Sequence, residues 1–215
     1  MERTEKRAER LVQGLRAKGI RDERVLAAIA AVPRHLFVEP ALRPLAYADE
    51  ALPIGLGQTI SQPFTVAVMT ELLGVAPGDR VLEVGTGSGY QAAVLVALGA
   101  RVFSVERHAA MLARTNALLA GLGIRVRTRL GDGHFGWPAL APFDAIVVTA
   151  GGPTVPEALV AQLRAPVAGR PDARLVIPVG PPERQALHRV TRTGEATTTD
   201  ETLREVVFVP FVRGA

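Results

Sequence analysis

The chain has 215 residues, of which 48% are hydrophobic and 21% charged, a composition that fits one globular domain and argues against a disordered segment. It has no cysteine, which excludes disulfides and thiolate nucleophiles, and no signal sequence or apolar run of membrane-spanning length, so we expect a cytoplasmic protein without a membrane partner. The net charge of +4 and the isoelectric point of about 10.3 come mainly from arginine, but no dense basic block supports a nucleic-acid partner.

Two helices are expected at the start of the chain. Apolar residues three and four apart predict helical structure from Glu2 to about Val32, with a break at Gly19. The second helix should end near Val32, because Pro33 disfavours helical geometry in the residue before it.

Residues 34–62 are rich in loop-forming residues, and helical spacing resumes at Gln62 and ends at Gly74. The stretch LPIGLGQTISQP, residues 52–63, carries no charge but has two glycines and two prolines. Core strands rarely hold proline and glycine so densely, and surface loops are usually charged. We therefore expect this uncharged, hydroxyl-bearing loop to form half of an active site.

Short apolar runs alternate with helical segments from residue 80 onward. Strands are predicted at RVLEVG (80–85), RVFSVE (101–106), RVRTRLGD (125–132), FDAIVVTA (143–150) and ARLVIPVG (173–180), and helices at YQAAVLVALG (90–99), AAMLARTNALLAGLG (109–123) and VPEALVAQL (155–163). This alternation implies right-handed βαβ units and a doubly wound, mostly parallel sheet with helices on both faces. ALHRVTRTG (186–194) and LREVVFVPFV (203–212) alternate like an antiparallel hairpin.

A glycine motif lies where such a sheet binds ligands. VLEVGTGSGY places Gly85, Gly87 and Gly89 at the turn from the first of these strands to the next helix, outside the carboxyl ends of the strands. Dinucleotide enzymes show G-x-G-x-x-G, whereas here the third glycine comes one residue early and Tyr90 takes the sixth position. The G-x-G-x-G spacing is typical of S-adenosylmethionine sites, so we predict that cofactor rather than NAD.

Several carboxylates follow or interrupt the predicted strands. Glu106 lies about 20 residues past the glycines, where an acid accepts ribose hydroxyls, although a solvated strand end is the alternative. Glu83 lies inside a strand, where a carboxylate needs a ligand or backbone donors. Asp132 and Gly133 are placed to grip an adenine edge, whereas Asp144 suits a strand-start role as well as a functional one.

A known family has nine segments of this chain in the same order. They are PRHLF, AYADEALPIGLGQTISQP, VLEVGTGSGYQAAVL, VFSVER, GDGHFGWP, PFDAIVVTA, VPEALVAQL, LVIPVG and FVPF. Over nearly its whole length, the chain thus resembles the protein-L-isoaspartate O-methyltransferases, to which the PIGxGQTISQP pattern is specific. The glycine and Glu106 motifs are shared by class I methyltransferases in general.

The resemblance implies a Rossmann-like fold with an N-terminal helical extension and C-terminal antiparallel strands, in one methyltransferase domain over residues 1–215. Residues 1–62 would form a cap that carries the active-site loop, and residues 63–215 the core that binds S-adenosylmethionine. The implied enzyme repairs aged proteins by methylating the α-carboxyl of L-isoaspartyl residues. Its partners would be damaged proteins or peptides, with no nucleic acid or membrane, and we expect a monomer.

The resemblance also implies roles for single residues. Ser61 would be the catalytic residue, in a loop that lies over the cofactor, and the substrate would contact Gln58, Thr59, Ile60 and Ser61. The implied cofactor residues are Glu83, Gly85, Thr86, Gly87, Ser88, Gly89, Glu106, Arg107, Asp132, Gly133 and Thr149. The four histidines are scattered without metal-ligand spacing, so no metal is predicted.

Physical reasoning agrees with an uncharged active-site loop. The substrate's own carboxylate is the nucleophile and is ionised at neutral pH, so the enzyme needs no strong base. It needs in-line positioning away from water, to which hydroxyl donors on Thr59 and Ser61 and nearby backbone amides are suited. The alternative is that Thr59 and Ser61 only cap the helix that starts near Pro63.

Two regions depart from the family pattern. Residues 164–174 are longer and richer in proline than the family's Gly-Gly turn, and Val207 stands where the family often has arginine. We expect both near the substrate entrance, where they would affect peptide preference more than cofactor binding.

Other functions remain open. One is a relative that methylates a different carboxylate, such as an aspartate of a particular peptide, and only the altered 164–174 region supports it. Another is a protein that binds S-adenosylmethionine without catalysis, which the intact Ser61 loop argues against. A nucleic-acid methyltransferase ranks last, because the chain has no motif for base amines and no appended RNA-binding module.

Overall fold

The computed structural model describes residues 2–214. The helices are α1 (Glu2–Ala17), α2 (Glu23–Ala31), α3 (Pro63–Leu73), α4 (Tyr90–Ala97), α5 (Ala109–Gly121) and α6 (Glu157–Val160). The strands are β1 (Leu52–Gly55), β2 (Gln58–Ile60), β3 (Arg80–Val84), β4 (Arg101–Glu106), β5 (Val126–Leu130), β6 (Ala145–Val148), β7 (Arg174–Val179), β8 (Gln185–Arg192) and β9 (Thr198–Val206). Within residues 2–214, no helix combines the length and apolar composition that a membrane crossing requires.

Seven strands form one sheet in the order β5-β4-β3-β6-β7-β8-β9. The strands from β5 to β7 pair in parallel, whereas β8 and β9 run antiparallel to their neighbours. The central strands β3 and β6 are almost entirely buried, as expected where helices cover both faces. The predicted doubly wound, mostly parallel sheet with C-terminal antiparallel strands is confirmed.

The N-terminal helices are joined to the sheet layer by apolar packing. Leu15 of α1 and Ile29 of α2 belong to the same buried cluster as Val94 of α4 and Met111 of α5. The α2 helix ends at Ala31, so the predicted stop near Val32 is confirmed. This packing places residues 34–62, which follow α2, against the carboxyl edge of the sheet.

The stretch expected to be a loop contains a small β-hairpin instead. β1 and β2 pair antiparallel with each other and stay outside the seven-stranded sheet. Leu56 and Gly57 connect them with φ of 54° and 69°, the positive values that a two-residue hairpin turn requires. Ile60 faces the core, so its neighbour Thr59 points to the opposite side of the hairpin and is exposed.

The helix predicted at residues 155–163 is shorter in the structure, where α6 covers one turn. The chain turns after α6 because Leu163 forms a parallel bridge with Phe143. The side chain of Gln162 donates hydrogen bonds to the carbonyls of Phe135 and Ala158, at 2.9 and 2.7 Å, and so stabilises this turn.

The last strand was predicted too far toward the carboxyl end. β9 ends at Val206, and the residues beyond it leave β8 and cross the carboxyl edge of the sheet. There the Gly151 N–H donates to the Val209 carbonyl and the Phe211 N–H donates to the Gly151 carbonyl, at 2.8 and 2.7 Å. The alternating pattern of 203–212 therefore continues past β9 into residues 207–212, which we call the crossing segment.

The unusual 164–174 region lies at the amino edge of the sheet. Arg164 donates a hydrogen bond to Asp144 at 2.6 Å, and Arg170 donates one to Asp79 at 2.9 Å. Asp79 and Asp144 immediately precede β3 and β6, at the end of the sheet opposite the glycine motif. The prediction that this region lies near the substrate entrance was wrong, because a segment that enters a parallel strand lies at the strand's amino end.

Asp144 thus has the plain strand-start role rather than a functional one. Its carboxylate accepts hydrogen bonds from the Arg80 N–H at 2.9 Å and from Arg164, and its side chain is 9% exposed. Burial alone would raise the pKa of Asp144, but these donors and the charges of Arg164 and Arg170 outweigh burial and hold the pKa below its ordinary value.

We expect Asp144→Asn to lower the free energy of unfolding by about 2 kcal/mol at pH 7, because Arg164 loses its carboxylate partner. The pKa of Asp144 is lower in the folded than in the unfolded chain. The stabilisation is therefore present above the unfolded pKa and is lost as the pH falls through the folded pKa, so the two proteins should converge in acid. Urea unfolding between pH 7 and pH 3 measures this.

The matched control is Glu205→Gln, which breaks the exposed pair between Glu205 and Arg184. Exposed pairs contribute little to stability, so this variant should unfold like the wild type. Equal unfolding midpoints for Asp144→Asn and Glu205→Gln would contradict the structural role of Asp144.

Candidate active site

Two clefts open at the carboxyl edge of the sheet. The first, of about 1050 Å³ including its open mouth, lies between the glycine turn, the β1–β2 hairpin and the crossing segment after β9. The second, of about 1470 Å³, lies between α3 and the end of β9. Both clefts are lined by Thr59, Ser61, Thr149 and Val209, which we call the shared wall. None of these four side chains titrates, and groups held in the two clefts would meet there.

The glycine turn after β3 is packed tightly against its neighbours. Gly85 and Gly89 have φ of 94° and 84°, and a side chain at either would collide with Thr149 or Thr115 respectively. The hydroxyl of Thr149 donates to the Gly85 carbonyl at 2.8 Å, and that of Thr115 donates to the Gly87 carbonyl at 2.6 Å. The turn is therefore held from both sides along the floor of the first cleft.

Glu106 is a buried hydrogen-bond acceptor rather than a solvated strand end. One carboxylate oxygen accepts the Gly87 N–H at 2.9 Å, and the other accepts the N–H groups of Arg107 and His108 at 2.8 and 2.9 Å. The residue is only 4% exposed. Each carboxylate oxygen can accept more than one hydrogen bond, so acceptor capacity remains for a ligand. Contact with ribose hydroxyls stays a prediction.

Glu83 lines the first cleft but is wholly buried in β3. Burial raises the pKa of Glu83 to about 8, further helped by the charge of Glu106, whereas the hydrogen bond from Ser104 at 2.5 Å acts in the opposite direction. The carboxyl group is therefore mostly neutral at pH 7. The Ser104 hydroxyl also bonds that of Thr86 at 2.7 Å, which links Glu83 to the glycine turn.

One oxygen of Glu83 is buried beside the first cleft. Its Oε1 atom has no hydrogen-bond partner within residues 2–214. A buried polar atom without a partner costs free energy unless a ligand or water satisfies it. The donor groups of S-adenosylmethionine, which include the ammonium of its amino-acid part, fit this requirement.

Asp132 uses its carboxylate on the protein itself. Oδ1 accepts the His134 N–H at 2.9 Å, and Oδ2 accepts the Gly214 N–H at 2.8 Å. The His134 ring stacks on Phe211 with ring centroids 3.8 Å apart, which ties this loop to the crossing segment. The proposed grip of Asp132 on an adenine edge stays a prediction.

The structure brings most predicted site residues together. The predicted cofactor residues that line the first cleft are Glu83, Gly85, Thr86, Gly87, Ser88, Glu106, Arg107, Gly133 and Thr149. Gly89 and Asp132 do not line it. The predicted substrate residues Gln58, Thr59, Ile60 and Ser61 line it as well, and Thr59 and Ser61 also line the second cleft.

Sequence reasoning missed the contribution of the C-terminal crossing segment. Val209, Pro210, Phe211 and Val212 cover one side of the first cleft. The segment FVPF was recognised only as shared with a family, and its local pattern predicted a strand. Its position depends on the long-range bonds to Gly151.

Ser61 does not cap α3. The N-cap residue is Gln62, whose side chain makes no capping hydrogen bond, and the Phe64 N–H is instead accepted by Asp49 at 2.8 Å. The cap alternative for Thr59 and Ser61 was therefore wrong. In residues 2–214, no hydrogen bond is found for either hydroxyl, whereas the Ser61 carbonyl accepts one from Arg34 at 2.8 Å.

Comparison with known proteins identifies the family. The profile of the protein-L-isoaspartate(D-aspartate) O-methyltransferases matches residues 6–215. The chain belongs to this family. The protein-L-isoaspartate O-methyltransferase of Salinibacter ruber is 61% identical over 208 residues, which cover 95% of this chain and 90% of that protein. That of Methylorubrum extorquens is 54% identical over 213 residues, which cover 99% and 91%.

Solved structures agree. A protein-L-isoaspartate O-methyltransferase matches with a TM-score of 0.82 and 29% identity, over 94% of this chain, which spans 65% of that protein's length. A β-aspartate methyltransferase from Plasmodium falciparum, in complex with S-adenosyl-L-homocysteine, matches with a TM-score of 0.80 and 25% identity, over 94% and 96% of the two chains. The predicted family, Rossmann-like fold, methyltransferase class and cofactor are confirmed.

For this methyltransferase, we expect Glu106→Gln to weaken S-adenosylmethionine binding by about 1–3 kcal/mol, because the carboxamide offers one acceptor oxygen where the carboxylate offers two. Calorimetry measures the change, with the exposed Glu157→Gln on α6 as the control. Wild type should show no comparable affinity for NAD. Unchanged cofactor affinity in Glu106→Gln would mean that Glu106 only stabilises its own loop and does not contact the cofactor.

Proposed function

We propose that this enzyme moves the methyl group of S-adenosylmethionine to the α-carboxyl of L-isoaspartyl residues in damaged proteins and peptides. The observation that carries the proposal is the shared wall, where a cofactor in the first cleft and a carboxylate in the second would meet beside the hydroxyls of Thr59 and Ser61. The names of the Salinibacter and Methylorubrum relatives, which cover more than nine-tenths of this chain, support the same reaction.

The residues of the first cleft would hold the cofactor. Glu106 would accept ribose hydroxyls and Oε1 of Glu83 would accept the ammonium group, while the glycine turn and Gly133 leave room for the ligand. Arg107 and Thr149 line the same cleft and complete this set. When bound, S-adenosylmethionine supplies a methyl group on a positively charged sulfur.

The shared wall would orient the substrate. A carboxylate is ionised at neutral pH, so no residue has to remove a proton from it, and the four wall residues offer no base. The hydroxyls of Thr59 and Ser61 would donate hydrogen bonds to the carboxylate, together with the amides around Gln58 and Ile60. The wall would thus fix the attacking oxygen in line while the hairpin and the crossing segment exclude water.

Peptide preference would be set in the second cleft. Val207, which stands where the family often has arginine, lines that cleft and is 76% exposed. The 164–174 region lies at the other edge of the sheet, so the alternative of a different carboxylate substrate loses its only support. The cytoplasmic location and the monomeric state stay predictions.

The assay that tests this function uses two peptides that differ only in an L-isoaspartyl or an L-aspartyl residue. With labelled S-adenosylmethionine at pH 7, we expect methylation of the isoaspartyl peptide. Methyl transfer to the aspartyl peptide should be roughly a hundredfold slower, because its displaced carboxylate is no longer in line with the methyl group. Transfer to the aspartyl peptide alone would replace isoaspartate repair with the alternative substrate.

Ser61→Ala should reduce turnover roughly a hundredfold and leave cofactor affinity nearly unchanged, because one donor that orients the attacking oxygen is lost. Ser61→Thr keeps the hydroxyl and should retain part of the activity. Initial rates and calorimetry give the two quantities, and with saturating S-adenosylmethionine the wild-type rate should be flat above about pH 6. Wild-type turnover in Ser61→Ala would move the catalytic role to another residue.

A further inference from the structure

Arg34 is a wholly buried cation beneath the shared wall. It follows α2, and its guanidinium donates hydrogen bonds to the carbonyls of Ala46 at 2.9 Å, Ser61 at 2.8 Å and Glu50 at 3.4 Å. Its central carbon lies 4.8 Å from the centre of the Tyr90 ring. Arg34 therefore contacts the active-site loop through Ser61 and a wall of the first cleft through Tyr90.

Arg34 forms no direct ion pair in the part of the chain that the structure describes. None of the ion pairs within residues 2–214 includes Arg34, and its Nη1 has no hydrogen-bond partner there. Asp49, in the same segment, has its carboxylate engaged by Lys18 and by the Phe64 N–H. Burial lowers the pKa of Arg34, and the nearby Tyr90 and Asp49 act in the opposite direction; a guanidinium remains charged at neutral pH.

An unpaired buried cation is costly, and proteins normally pair or remove such charges. The four residues of the shared wall are uncharged, whereas elsewhere the second cleft is lined by Asp49, Glu50, Arg204 and Glu205. Donation to the Ser61 carbonyl also polarises the Ser61–Gln62 peptide group and strengthens its N–H as a donor. Gln62 also lines the second cleft, where the substrate carboxylate would lie.

We propose that Arg34 is the electrostatic counterpart of the substrate's α-carboxylate, a positioning residue that acts through the main chain of Ser61. This inference rests on the proposed function. It explains how an uncharged loop can bind an anion, since the charge lies behind the loop and the loop supplies the hydrogen bonds. The competing reading is that Arg34 only clamps three carbonyls, in which case its charge would not matter to the ligand.

A pair of peptide probes separates these readings. One carries the L-isoaspartyl α-carboxylate, and the other carries an α-carboxamide in its place. Their dissociation constants are measured by calorimetry in the presence of S-adenosyl-L-homocysteine, for wild type, Arg34→Met and Arg34→Lys. Arg34→Met should weaken the carboxylate peptide about tenfold or more and the carboxamide peptide less than about twofold, because only the first is charged.

Arg34→Lys keeps the charge and loses the fork of donors, so the ratio of the two dissociation constants should stay within about twofold of wild type. Equal weakening of both peptides in Arg34→Met would overturn the proposal in favour of a clamp, as would wild-type binding of both. If Arg34→Met does not fold, the proposal is overturned instead by Arg34→Lys binding the carboxylate and carboxamide peptides with equal dissociation constants. Failure of wild type to methylate the isoaspartyl peptide would refute the proposed function, independently of these ratios.

Discussion

The guanidinium of Arg34 organises the part of the molecule that lies over the carboxyl edge of the sheet. Residues 34–62 contain two short 3-10 helices and a two-stranded hairpin, and an isolated hairpin of this size is at best marginally stable. They stay in place because Leu52, Ile54 and Ile60 pack into the N-terminal cluster and because the carbonyls of this segment surround a cation that cannot be left unsolvated. The shared wall, and with it the meeting point of the two clefts, depends on that arrangement.

Two acids in different environments, Glu106 and Glu83, line the floor of the first cleft. Glu106 is satisfied by three main-chain N–H groups, whereas Glu83 on the adjacent strand has one hydroxyl donor and burial raises its pKa to about 8. The charge of Glu106 itself helps to keep Glu83 neutral. Burial and the charge of Glu106 thus both favour the neutral form of Glu83, which reduces repulsion between the two side chains beneath the glycine turn.

The sequence predicted local features well because their causes are local. The glycine turn needs positive φ at Gly85 and Gly89, α2 ends before Pro33, and the apolar runs of β3 and β6 require burial on both faces. The predictions that were wrong depended on distant partners. The crossing segment follows bonds to Gly151, α6 is shortened by the bridge from Leu163, and the cap of α3 comes from Asp49.

By itself, the sequence determined the doubly wound sheet, the cofactor class and the position of the glycine turn, because apolar periodicity, glycine spacing and segment order are local features of the chain. Only the tertiary structure decided that residues 164–174 lie at the far edge, that burial raises the pKa of Glu83 and that Arg34 lies behind Ser61. Burial and charge pairing are set by groups far apart in the chain, and no local pattern records which of them meet.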